Sequence, residues 1–282
     1  MNEFLSHALT PIILIYVVSA MLALGLCNTV SQIVEPLRNV RLTLSAVVAS
    51  YVILPLLAAL VARLFGLDPS LRHGLVLIAM AAGADVGPLL TTTSNANARL
   101  SGGILVLSIG ITIVYLPLML GVFLPDVQFP IGHLLLKLFL TIVAPLLIGL
   151  FVRARFEKLA GTAAHYLHGI SRVFVVLLTI TVILLYYERI AGLIGTFAIL
   201  AGVICVVGGF GLGYALGWPK KGDRLAMGYM HGARNASVAV MVANDVFRDE
   251  PGAMLMIATV VILILGLLIP LSYLWKLQPS EA

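Results

Sequence analysis

The chain has 282 residues, 61% of them hydrophobic and only 10% charged, with a mean hydropathy of +1.11. A water-soluble domain carries about a quarter of its residues as charges, so a soluble globular protein is excluded. The formal charge of +5 does not point to nucleic acid, because the basic residues sit in short loops between apolar runs, where membrane topology accounts for them.

Continuous apolar runs such as Val173–Tyr187 lack the period-two alternation of a membrane β-barrel. The expected class is an all-α membrane protein whose helices satisfy their own backbone groups in lipid. In chain order, nine spans are predicted at about 10–34, 41–66, 71–96, 99–124, 130–154, 166–186, 190–217, 222–246 and 252–276. Short connections separate them, among them Glu35-Pro36, Asp68-Pro69, Pro125-Asp126, Glu188-Arg189, Pro219-Lys220-Lys221 and Asp249-Glu250-Pro251, so residues 1–282 read as a single membrane domain. Met1–Ala8 contains Glu3 and no basic stretch, so the first span is expected to be retained rather than cleaved. Cys27 and Cys205 lie within apolar runs and read as packing residues, not as a disulfide or a metal site. Of the 17 Lys and Arg residues, eleven fall on one side of this layout and five on the other, with Arg234 inside a span. The positive-inside rule then places the N-terminus outside and the C-terminus in the cytoplasm of an inner-membrane, multi-pass protein.

Two spans carry polar interruptions near mid-membrane. The third contains Gly83-Ala84-Asp85-Val86-Gly87-Pro88, and the eighth contains His231-Gly232-Ala233-Arg234-Asn235. Glycine and proline unwind a helix, and the backbone groups they free must face protein or a watery cavity. The two spans run in opposite directions, and spans one to four and six to nine form units of opposite topology. Such an inverted repeat with two crossed discontinuous helices is a signature of secondary transporters.

The candidate residues gather at those breaks. Arg234 and Asp85 are the deepest charges, each costing about 3 kcal/mol at a helix centre, so neither is expected to face lipid. Arg234 either holds a carboxylate or other anion with its planar donor fork, or pairs with Asp85 to fasten the crossing, or opens such a pair when an anion or proton arrives. His231 suits a proton acceptor or a hydrogen bond within the break. Asn235 offers both donor and acceptor, to freed backbone or to a ligand. Thr91-Thr92-Thr93-Ser94-Asn95-Ala96-Asn97 either lines an inner vestibule or caps a solvated helix end. Ser101-Gly102-Gly103 and the glycines from Gly208 to Gly217 read as sites of close helix approach. No HExxH, GxSxG or Walker A pattern is present, and the chain is not expected to be an enzyme.

Ala23-Leu24-Gly25-Leu26, Pro36-Leu37-Arg38, Ile53-Leu54-Pro55-Leu56-Leu57, Gly74-Leu75-Val76-Leu77-Ile78 and Gly232-x-Arg234-Asn235 together make the chain resemble the bile acid:sodium symporter family. It is similar to nine-helix members, lacking the first helix of ten-helix relatives. The resemblance implies a panel domain (about 10–34, 130–154 and 166–186) and a core domain (about 41–124 and 190–276), with organic anions as substrates. It also places sodium ligands where this chain departs from the family. Gly87-Pro88 stands for a Ser-Asn pair, Met230 for a glutamate, Arg234 and Ser50 for glutamines and Leu105 for a threonine, while Ser101 is kept. Methionine, leucine and proline side chains offer no hard oxygen. The expectation is therefore a lost two-sodium site, with Arg234 supplying a fixed positive charge instead and no metal or other cofactor held.

The expected function is a secondary carrier of a small organic anion working by alternating access in the lipid bilayer, with no nucleic-acid partner. Arg234, Asn235, His231, Asp85 and Ser101 are the expected substrate-binding residues, and Gly83, Gly87, Pro88 and Gly232 shape the breaks. A sodium-coupled symporter, and a non-transporting receptor or sensor, stand as alternatives.

Overall fold

The computed structural model describes residues 2–34, 38–127 and 129–276; the predicted Glu35-Pro36 turn and the Pro36-Leu37 pair lie outside them. Among the described residues there is no strand. The helices are α1 (Asn2–Cys27), α2 (Val30–Val34), α3 (Val40–Val48), α4 (Leu54–Leu64), α5 (Pro69–Met80), α6 (Val86–Thr93) and α7 (Ala98–Phe123). They continue as α8 (Ile131–Leu138), α9 (Ala144–Arg155), α10 (Glu157–Ala191), α11 (Phe197–Leu216), α12 (Lys221–Gly232), α13 (Ala236–Val246) and α14 (Pro251–Leu274).

Among the described residues, seven segments are long and apolar enough to cross a membrane: Ala8–Cys27, Val40–Leu64, Ala98–Phe123, Ile131–Arg155, Glu157–Tyr186, Phe197–Leu216 and Pro251–Leu274. This is a multi-pass membrane protein. The third and eighth predicted spans are instead the interrupted pairs α5/α6 and α12/α13. Two further boundaries differ from expectation. The first span ends at Cys27, because Thr29 and Gln32 form a reciprocal capping box (Thr29 N–H to Gln32 Oε1, 2.9 Å; Gln32 N–H to Thr29 Oγ1, 3.3 Å) that starts α2 afresh. The helix expected near 166 begins at Glu157, since the Glu-Lys-Leu-Ala opening is strongly helix-forming although too polar for a hydropathy window.

Two spans share a local device. A five-residue π-helical turn, Ala49–Ile53 or Phe139–Val143, is followed after one residue by Pro55 or Pro145. Proline has no N–H, so Pro55 deprives the Tyr51 carbonyl of its helical donor. The Tyr115 hydroxyl supplies the missing bond at 2.6 Å.

The chain packs as two compact units, Met1–Ile33 with Phe129–Glu188, and Val34–Gln128 with Arg189–Ala282. Within the first, α1 and α9 touch backbone to backbone. A Cβ on Gly25 would strike the Leu146 carbonyl, and one on Gly149 would lie 2.5 Å from the Leu22 carbonyl. Such small-residue crossings replace a hydrophobic driving force that lipid cannot supply. Leu26, Ala160 and Ala164 form a small buried cluster beside this crossing. Val173, Val176, Ile180 and Leu184 on α10 are exposed, as a lipid-facing surface requires.

Within the second unit, α5 lies on α14 through Gly74 against Ala253 and Gly252 against Ser70. Helix α11 lies on α12 in antiparallel register. Cβ atoms added at Gly209, Gly213 and Gly217 would meet the carbonyls of His231, Met227 and Asp223 respectively. The glycine run expected to serve close packing does so. In contrast, Gly102 has open space around it, so the start of α7 is not a close approach at that position.

Candidate functional site

The first break begins where α5 ends at Met80. Ala81 adopts φ −80°, ψ 78°, and the Ala82 N–H folds back to the Met80 carbonyl at 3.0 Å, an inverse γ-turn. Gly83 follows at φ +87°, a conformation L-residues avoid, and a Cβ there would also press on Ile109. Asp85 is the exposed N-cap residue of α6 and makes no side-chain capping bond. Gly87 and Pro88, expected to form the break, instead lie in the first turn of α6. Proline is tolerated there because its missing N–H has no helical partner in that turn. The interruption proper is 81–85.

The four carbonyls from Ala81 to Ala84 lie within this interruption, and each has a donor. Ala81 O accepts the Asn235 backbone N–H (2.8 Å), and Gly83 O accepts Asn235 Nδ2 (2.8 Å). Ala82 O accepts the Thr112 hydroxyl from α7 (3.1 Å), and Ala84 O accepts the Gly87 N–H (3.1 Å). Tyr51 steadies Thr112: its hydroxyl donates to Ser108 O at 2.6 Å and lies 2.9 Å from Thr112 Oγ1. The sequence reading missed Tyr51, Thr112 and Tyr115. The available signal was Ser108, Thr112 and Tyr115 recurring on one face of an otherwise apolar helix.

The second break joins the first. Helix α12 ends at Gly232, Ala233 is extended, and Asn235 caps α13 by accepting the Val238 N–H on Oδ1 at 3.1 Å. Asn235 therefore spans both breaks with three hydrogen bonds. Helix α12 packs beside α6, and α13 beside α5, so each half of one interrupted span lies against the opposite half of the other. The two segments cross at their interruptions.

Arg234 sits between the extended Ala233 and this cap, only 6% exposed. Its Nη1 and Nη2 atoms are buried and form no hydrogen bond, so no carboxylate, that of Asp85 included, accepts from either. Tyr51, Cys205, Tyr115 and His231 are ionisable groups coupled to it. It lines a cavity of about 10 Å³ walled mainly by aliphatic side chains.

His231, three residues earlier near the end of α12, is buried, with Nδ1 2.6 Å from Met227 O and Nε2 3.2 Å from Ala46 O. Both neighbours are acceptors. A neutral imidazole donates to one of them, and an imidazolium donates to both. Ser101 is fully buried, and its hydroxyl bonds its own helix at Ala98 O (3.0 Å). The hydroxyls of Thr91, Thr92 and Thr93 likewise bond carbonyls one turn back. Met230 packs its sulfur against Gly87. Among the described residues no group of three or more His, Cys, Asp and Glu side chains is arranged to hold a metal ion.

A second polar cluster, unforeseen in the sequence, closes one end of the same unit. His73 of α5 contacts Glu250 Oε2 through Nδ1 (2.6 Å) and Asp126 Oδ2 through Nε2 (3.2 Å), and Arg72 Nη2 pairs with the same Asp126 oxygen at 2.7 Å. Burial raises the Asp126 carboxyl. Its own backbone N–H, the His73 hydrogen bond and the charges of His73 and Arg72 outweigh that and hold it below the usual carboxylate range.

Comparison with known proteins follows the same lines. Residues 13–194 match the Sodium Bile acid symporter family. A curated protein of Bacillus subtilis (strain 168), described as "Uncharacterized sodium-dependent transporter YocS", is 25% identical over 165 residues, which is 58% of this chain and 51% of that protein. The chain thus spans about half the length of this relative. The first break lies inside the 13–194 match, and the second lies beyond it.

Proposed function

Because the chain belongs to the sodium bile acid symporter family, we propose that it is a secondary carrier which moves a small organic anion across the inner membrane by alternating access. In this reading the seven continuous spans and the two interrupted ones make nine, with the N-terminus outside and the C-terminus in the cytoplasm. The unit built on α1, α8, α9 and α10 is the panel, and the other is the core. The division of the chain into those two units and the meeting of the interrupted spans at Asn235 support it. One observation carries the proposal: a buried guanidinium with both terminal nitrogens unbonded, at the crossing of two interrupted helices. Arg234 receives the substrate carboxylate, Asn235 holds the crossing, and His231 is the group able to take up a proton there.

The test is uptake of labelled organic anions into proteoliposomes by the parent and by Arg234→Gln. The carrier reading expects uptake to fall to background while the variant remains folded, as judged by gel filtration and thermal unfolding. Undiminished uptake would make the arginine structural. Saturable counterflow separates a carrier from a receptor, because a receptor binds its ligand without exchanging it.

A second reading, a sodium-coupled symporter, is favoured by the family's description and by that of the Bacillus protein. The packing of Met230 on Gly87 weighs against sodium at the usual positions, since a thioether is a poor ligand for a hard cation. Uptake is expected to persist when choline replaces sodium; its loss would select the symporter.

A further inference from the structure

Among the described residues, Arg234 is a cation with no hydrogen-bonded partner on its terminal nitrogens to balance it. Both terminal nitrogens are buried without a hydrogen bond, and none of the ionisable groups coupled to it, Tyr51, Cys205, Tyr115 and His231, is an anion near neutral pH. The cavity it lines has about 10 Å³ of room, about that of one water-sized body. Leu54, Leu75, Ile78, Val206 and Val260 wall it, with the Cys205 thiol as the one polar side chain besides the arginine.

A water molecule fits this space poorly in chemical terms. It would accept from the guanidinium, but its own two protons would face aliphatic walls and a sulfur that accepts only weakly. An organic carboxylate is too large for it. A monatomic anion matches on each count: it accepts from several N–H groups, has no proton to donate, tolerates apolar neighbours and neutralises a charge that is costly to bury alone.

We infer that Arg234 holds a single small monovalent inorganic anion, of halide size, in this cavity, and that a larger organic anion must displace it. The site shares its arginine with the carrier reading but stands whether or not the chain transports.

The experiment uses the full chain in detergent or nanodiscs. Thermal unfolding of the parent and of Arg234→Gln is followed while sodium chloride or bromide replaces sodium sulfate at constant ionic strength. The expected result is a saturable rise in Tm, about 3 °C at a halide concentration roughly ten times half-saturation. The rise should be absent in Arg234→Gln and retained in part by Arg234→Lys. A parent whose Tm responds to the exchange no differently from that of Arg234→Gln would overturn the inference. Should the variants fail to fold, anomalous scattering from bromide-soaked crystals of the parent decides: a peak beside Nη1 and Nη2 upholds the site, and its absence there removes it. Halide binding without uptake would retire the carrier reading alone. Uptake without halide binding would retire the ion site alone.

Discussion

The two interruptions are unlike in chemistry although they meet at one point. The first, 81–85, presents carbonyl oxygens, needs a glycine at positive φ, and leaves its one charged residue, Asp85, exposed at a helix cap. The second needs no positive φ, presents donors through Asn235, and buries a charge that the protein does not answer. One break thus presents a run of acceptors, 81–84, each answered from within, while the other carries a surplus of N–H groups. An irregular segment inside a membrane stays in place once its backbone groups are paired, and the unanswered remainder marks where a ligand belongs.

The largest effect should come from cutting the link between them. Asn235→Ala removes the cap of α13 and the donor to the buried Gly83 carbonyl. It is expected to cost about 3 kcal/mol in a reversible unfolding measurement. Arg234→Gln should cost nothing in halide-free medium or even stabilise, because it removes an unbonded buried charge rather than a partner. If both substitutions destabilised alike, the contrast between the breaks would be lost.

Next in size is the support behind the second break. Gly213→Ala drives a Cβ into the Met227 carbonyl and toward the His231 ring, and should cost about 1–3 kcal/mol. Gly211→Ala, on the same helix with open space around it, should instead stabilise by about 0.5–1 kcal/mol. Matching effects at the two positions would deny the close approach.

Thr112→Val tests the first break from the α7 side. It leaves the Ala82 carbonyl without its donor and should cost about 1–2 kcal/mol, with little effect on anion affinity. A large change in affinity at unchanged stability would mean that the first break too contacts the ligand.

The smallest effect lies at the Asp126 cluster. The folded Asp126 carboxyl titrates below its unfolded value, so its contribution is fully present above about pH 4 and is lost as pH falls through the depressed folded pKa. Stability profiles of the parent and Asp126→Asn should therefore converge in acid and separate modestly above it, since Asp126 is half exposed. Profiles that separate only on acidification would reverse the assignment.

The sequence made much of this legible. Glycine, proline and charge stand out in apolar runs, so both interruptions could be placed, and Gly83 falls where the backbone requires it. Gly87 and Pro88 misled, because proline opens a helix as readily as it breaks one. The partners of Asn235 were out of reach: they are the carbonyls of Ala81 and Gly83, and main-chain acceptors leave no trace in residue identity. The pairing of Arg234 with Asp85 looked natural from composition alone. In the structure Arg234 is buried at the crossing with neither terminal nitrogen hydrogen-bonded, while Asp85 stands at an exposed helix start. The His73 cluster assembles residues from three distant stretches and has no local pattern to detect.

The glycine face of α11 carries a mechanical consequence. Side-chain layers between helices act as bearings, because rotamers can hop as one element slides past another. Between α11 and α12 that layer is missing at Gly209, Gly213 and Gly217, where backbone rests on backbone. The two helices form a single stiff strut. Any motion that admits a bulky anion to the arginine must swing α11 along with it, and the compliance is left to the joint at 217–220 and to the crossing itself.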